Sequence, residues 1–107
     1  MRTMPNFWNH SSCDYAVSTR LLPAGPGRTR IQVTWLVAGG AEEGRDYRLD
    51  EIMPFWQLTS EQDWTICESV QRGVRSSRYT PGPFSTFKEY NVDALVNWYL
   101  EQLGSQP

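Results

Sequence analysis

An aspartate set in an apolar stripe is the residue of this chain best placed to do chemistry. Asp63 lies seven residues after Trp56 and seven before Val70. Seven residues make nearly two helical turns, so the three share one face of any helix that contains them. Thr59 and Ser60 fall on the same side. A charged carboxylate facing a core is costly unless it is ion-paired, hydrogen-bonded or bound to a metal. Two solutions stay open. Asp63 could accept hydrogen bonds from an Arg, a Trp N–H or backbone amides. It could instead be the anionic oxygen ligand of Fe(II) in a two-His, one-carboxylate triad, whose open positions take O₂ and substrate. Other chemistry-bearing residues are less suggestive. His10 is the single histidine of the chain and sits in a polar stretch, where it reads as a surface or loop residue. Cys13 and Cys67 are far apart, with no CxxC, CxH or HxxxH nearby, and fit ordinary semi-buried free thiols. Glu61 and Glu68 read as solvated, or as paired in the case of Glu68 with Arg72 at i,i+4.

The element that must carry Asp63 is a long helix over about residues 50–72. Leu49, Ile52, Met53, Trp56, Ile66, Cys67 and Val70 fall on one face at about 100° per residue. Pro54 then belongs near the first turn or marks a kink, and Gly73 is a natural stop. Upstream, Tyr15-Ala16-Val17-Ser18-Thr19-Arg20-Leu21-Leu22 partly alternates and is closed by Pro23, and reads as a strand. Ala24-Gly25-Pro26-Gly27-Arg28 is a turn by composition. In the next strand Ile31, Val33, Trp35 and Val37 point one way, and Arg30, Gln32 and Thr34 the other. The two strands make a β-hairpin. Residues 7–13 are polar and aromatic with no clear period, and residues 39–44 read as a loop. Thr86 and Glu89 have capping-box spacing. They open a last helix with the stripe Val92, Leu95, Val96, Tyr99 and Leu103, ending near Gly104.

These elements do not enclose a domain unaided. A helix over residues 50–72 would span about 34 Å. A compact domain of this size has a radius of gyration near 13 Å, so the helix is as long as the whole domain. A lone hairpin leaves sheet edges unpaired and is marginal without further strands or a covering helix. At 107 residues the chain has room for one small domain. It is 39% hydrophobic and has five Trp, so a core or a lined pocket is expected and wholesale disorder is not. A net charge of −2 gives no nucleic-acid footprint. No apolar run approaches the ~20 residues that span a bilayer. Met1-Arg2-Thr3-Met4-Pro5-Asn6 lacks the apolar segment of a secretory leader, so a cytoplasmic setting is the expectation.

Beyond its periodicity the sequence resembles a known family. Gln62-Asp63-Trp64-Thr65-Ile66-Cys67-Glu68-Ser69-Val70-Gln71-Arg72-Gly73 is similar to a motif near the end of the large (α) subunits of Rieske non-haem iron, aromatic-ring-hydroxylating oxygenases. There an acidic helix segment is followed by Glu and then Gln-x-Gly. Tyr79-Thr80-Pro81-Gly82-Pro83-Phe84-Ser85 looks like the family's Tyr-x-Pro-Gly-Pro-x-Ser loop, and Glu89 with Trp98-Tyr99 looks like its closing helix. Pro5-Asn6, Asp14-Tyr15-Ala16-Val17, Arg20-Leu21-Leu22-Pro23 and Trp35-Leu36-Val37 also resemble that family, especially the branch acting on quaternary ammonium compounds and related small molecules.

The resemblance implies an α+β fold. It would be part of a helix-grip (START or Bet v 1-like) domain: a β-hairpin or small antiparallel sheet, a long helix and a C-terminal helix. Residues 1–107 would then be the C-terminal portion of the catalytic domain. It implies that Asp63 is the carboxylate ligand of mononuclear Fe(II), with Trp56, Thr59 and Trp64 as pocket wall or plain core. The family's two iron-ligating histidines and its [2Fe–2S] Rieske domain belong to segments that this chain does not contain. The chain alone is therefore expected to be inactive. Intact relatives would hydroxylate or demethylate a small organic substrate, take electrons from a reductase or ferredoxin, and form a homotrimer. Two other readings are a non-catalytic START-like ligand-binding module and a small interaction module that dimerises through the hairpin edge.

Overall fold

The computed structural model describes residues 2–3 and 5–104, the first two by backbone alone. Met1 and Met4, which the leader expectation includes, lie outside the described residues. The order of elements is β1 (Arg2–Thr3), β2 (Phe7–Ser11), β3 (Tyr15–Gly25), β4 (Arg28–Val37), α1 (Leu49–Val74) and α2 (Tyr90–Gly104). This is an α+β arrangement of one small sheet and two helices. The chain divides into two compact units, Met1–Leu36 with Gly82–Pro107, and Val37–Pro81.

In the first unit the strands lie in the order β1-β2-β3-β4. β1 pairs antiparallel with β2, and β2 antiparallel with β3 from Phe7↔Arg20 to Ser11↔Ala16. Only two residues separate β3 from β4, as in a tight hairpin. Gly25, at the end of β3, adopts φ +141°, which only glycine reaches without strain. The expected alternation of β4 holds: Ile31, Val33, Trp35 and Val37 are half-buried, while Arg30, Gln32, Thr34 and Leu36 are exposed. The best-covered residues lie on β3, where neighbours flank the strand on both sides. Val17 is 1% exposed and Thr19 is also buried.

Two expectations for this unit need correction. Residues 7–11 form a strand, and His10 sits in it opposite Val17, exposed as a surface residue but not in a loop. Phe7, Trp8 and Asn9 are all half-buried, so no period of two shows in the sequence; pairing with β3 decides the conformation. Nor does Pro23 close β3, which runs on to Gly25. The β2 register stops at Arg20, and a proline is tolerated where one side of a strand needs no donor. Asn6 extends the pairing by one step. Its carbonyl accepts from the Leu21 N–H at 2.9 Å, and its side-chain amide donates to the Leu21 carbonyl at 2.8 Å.

In the second unit α1 has 26 residues and contains Pro54 at its sixth position. Proline there removes the donor for the Asp50 carbonyl. Gly73 does not stop the helix. It has no positive φ, and Arg75 closes the helix instead, its N–H donating to the Gln71 carbonyl at 3.3 Å. In the first unit the expected capping pair Thr86–Glu89 does not open α2. The helix starts on Glu89, whose carbonyl accepts from the Val92 and Asp93 N–H groups at 2.9 and 3.0 Å. Ser85 and Glu89 instead close the turn at residues 86–88 before it. The Ser85 N–H donates to the Glu89 carboxylate at 2.6 Å, and the Ser85 hydroxyl oxygen accepts from the Lys88 N–H at 3.3 Å. Ser85, not Thr86, supplies the side-chain oxygen, and it caps that turn rather than the helix. The residues of the stripe Val92, Leu95, Val96, Tyr99 and Leu103 are all exposed.

Candidate functional site

α1 sets the stage for Asp63. The chain enters the helix through a short loop held by charge. The Glu42 N–H donates to Asp46 Oδ2 at 3.0 Å. Arg45 bridges Glu42 at 2.8 Å and Asp46 at 2.7 Å. Gly44 supplies φ +85° at the turn. Arg48 then reaches Asp50 at 2.8 Å and Glu51 at 3.4 Å, placing two acids in the first turn where the helix dipole favours them. The Arg45 guanidinium, and next the Glu42 N–H, hold the Asp46 carboxyl below its ordinary range. Arg48 does the same to Asp50, and Asp50 and then Glu51 raise the Arg48 guanidinium in return. Residues 39–44, a plain loop by composition, are thus tied to the charge cluster that leads into α1. The alternation of acids with Arg45 and Arg48 was the available signal.

Along α1 the sequence stripe is only half realised. Ile52, Met53, Trp56, Thr59 and Ser60 are half-buried, and every residue from 61 to 74 is exposed. Asp63 is therefore exposed and does not face a core, as its place in the stripe had suggested. No hydrogen bond or ion pair to its carboxylate forms among the described residues. The Thr59 hydroxyl is committed to the helix backbone, donating to the Phe55 carbonyl at 2.8 Å. Trp56 stands edge-on to Phe55, with ring centroids 5.5 Å apart. Trp64 is 38% exposed. Cys13 and Cys67 are free thiols, exposed rather than semi-buried. On β4 the Trp35 indole N–H is enclosed yet has no acceptor among the described residues.

Chemically, α1 offers an accessible carboxylate at Asp63, two helical turns beyond the half-buried Trp56. Iron of the two-His, one-carboxylate type needs three protein ligands. Among the described residues no three His, Cys, Asp or Glu side chains converge to hold a metal ion. The residues present thus do not fit a complete iron site, and Asp63 supplies at most one ligand of three.

The chain matches the ring hydroxylating alpha subunit (catalytic domain) family over residues 1–105. It belongs to that family. It is 41% identical over 103 residues to the glycine betaine monooxygenase oxygenase subunit of Chromohalobacter salexigens, covering 96% of this chain and 23% of that protein. It is 34% identical over 100 residues to the protein of the same name from Pseudomonas aeruginosa, covering 94% of this chain and 23% of that one. The chain thus spans about a quarter of the length of these relatives. No helix among its described residues is long and apolar enough to cross a membrane.

Proposed function

We propose that these 107 residues are the C-terminal portion of the catalytic domain of a Rieske-type oxygenase α subunit. Asp63 would be the carboxylate ligand of its mononuclear iron. The observation that carries this reading is the family match over residues 1–105; Asp63 lies in the helical stretch whose sequence resembles the family's acidic motif. Three features of the chain support it. The Asp63 carboxylate is accessible and shares its helix face with the half-buried Trp56, as a ligand awaiting partners would. The apolar stripes of α1 and α2 are largely uncovered, as they would be where a larger helix-grip domain completes them. The unsatisfied Trp35 N–H calls for an acceptor from elsewhere, since a buried donor left unpaired costs about 1–3 kcal/mol.

On this reading two histidines and a [2Fe–2S] domain come from outside these residues. Electrons arrive from a reductase or ferredoxin, and the assembly is a homotrimer. The substrate is a small quaternary ammonium compound, a class the names of the relatives suggest and one that an aromatic wall suits by cation–π attraction.

Fragment complementation tests the proposal. The chain is mixed anaerobically, with Fe(II), with the part of the Chromohalobacter salexigens subunit that its 103-residue match leaves out. Substrate-dependent O₂ uptake is then measured with a reductase and glycine betaine. Alone, the chain should bind far less than one iron and take up no O₂. Complemented, it should be active, and Asp63→Asn should lower that activity by more than about 100-fold, beyond what loss of an outer-shell partner costs. Equal activity of the Asn variant would remove Asp63 from the metal. Iron near one per chain with O₂ uptake by the chain alone would overturn the division of ligands.

A further inference from the structure

Charge along this chain is unevenly spread. Residues 15–41 hold Arg20, Arg28 and Arg30 and no Asp, Glu or Lys, a formal +3 in a chain of −2, so the other 80 residues carry −5. All three arginines are exposed. None of the ion pairs formed among the described residues engages them; those pairs belong to Arg45 and Arg48. Ala24, Arg28, Thr29 and Arg30 line an open concavity of about 390 Å³ at the end of the β3–β4 hairpin.

We infer that this hairpin end is a docking surface for an extended, carboxylate-rich segment of a partner protein. Arg28 and Arg30 are two apart on one strand, so their side chains leave the same face about 7 Å apart. That spacing meets two carboxylates at alternate positions of another extended chain, each able to take a forked guanidinium bond. A nucleic acid is a poorer match, because a phosphate-tracking surface needs many cations and the rest of this chain is acidic. The inference does not depend on the iron assignment, and its test reads binding rather than oxygen chemistry.

The probe is a fluorescein-labelled peptide alternating Glu with Thr, compared with its Lys-for-Glu counterpart by anisotropy on the full chain. The acidic peptide binds and the basic one does not. Raising salt from about 20 to about 200 mM weakens binding by about tenfold or more. Arg28→Glu with Arg30→Glu abolishes it, Arg28→Lys with Arg30→Lys retains part, and Arg72→Glu on α1 leaves it unchanged. Circular dichroism confirms that the variants keep their fold. Four results would each overturn the proposal. They are unchanged binding by the double Glu variant, full displacement by inorganic phosphate at the peptide's concentration, tighter binding of a single-stranded DNA oligomer, and occupation of the surface by self-association in sedimentation.

Discussion

The β3 strand and the α1 helix solve the same problem with opposite success. Both present apolar side chains at the period proper to their geometry. On β3 those side chains are covered, and Val17 and Thr19 are buried because strands lie on either side. On α1 nothing is buried, and Leu58, Ile66 and Val70 are each about 60% exposed. A strand finds its cover from hydrogen-bonded neighbours a few residues away in sequence. A helix satisfies its own backbone and must find cover from side chains of a separate element. The difference locates what these residues complete by themselves and what they offer to something else.

Paired truncations bear on that contrast most strongly. Val17→Ala removes about two buried methylene equivalents and leaves a small void, so it should cost about 2 kcal/mol. In the 107-residue chain this appears as a lower urea midpoint. Ile66→Ala, made where the side chain is 61% exposed, should change stability by less than about 0.5 kcal/mol. Equal losses would mean that α1 is covered after all. In the complemented enzyme the order should reverse, with Ile66→Ala weakening the association of the two parts.

The sequence made the periodic elements legible and left their partners obscure. The alternation of Ile31, Val33, Trp35 and Val37 placed β4 and its half-buried face correctly. The stripe from Leu49 to Val70 placed α1 to within two residues at each end. Phe7-Trp8-Asn9 escaped because a strand with covered residues on both faces shows no period, and only its register with β3 reveals it. Gly73 misled because a glycine costs a helix about 1 kcal/mol yet ends it only where a left-handed turn follows. Asp63 was legible as a position and not as an environment. Periodicity says which residues share a face, whereas burial depends on whatever lies opposite. Family membership over residues 1–105 therefore carries the site further than the geometry does.

A smaller effect separates the entry to α2 from the entry to α1. Ser85 caps with its hydroxyl, and Glu89 closes back on the Ser85 N–H. Arg48, immediately before α1, makes no side-chain cap, and no such capped turn leads into that helix. Ser85→Ala should cost the turn that leads into α2 about 1 kcal/mol and Glu89→Ala a similar amount, seen as faster amide exchange at Lys88 and Ser85. Thr86→Ala should leave both amides unchanged, since Thr86 only neighbours the cap. Protection lost in the Thr86 variant and kept in the Ser85 variant would restore the register expected from sequence.

At the entry to α1 the substitute for a cap is charge, and charge can be titrated. Asp46 is lowered by Arg45 and by the Glu42 N–H, and Asp50 by Arg48. A carboxylate whose value falls on folding contributes stability that is present above its unfolded value and lost as pH drops through the folded one. The loop and the first turn of α1 should therefore hold firm at neutral pH and loosen in the acid range, below the ordinary carboxylate value. Both groups are exposed, so salt screens the effect and the global midpoint should barely move. The local reporter is the Glu42 amide, which donates to Asp46 Oδ2. Its NMR shift should titrate with a midpoint below that of an unperturbed aspartate, and Asp46→Asn should flatten the curve. A Glu42 amide that shows no titration in the wild type would mean that the loop is set by Gly44 and its backbone bond to Tyr47, with the charges as bystanders.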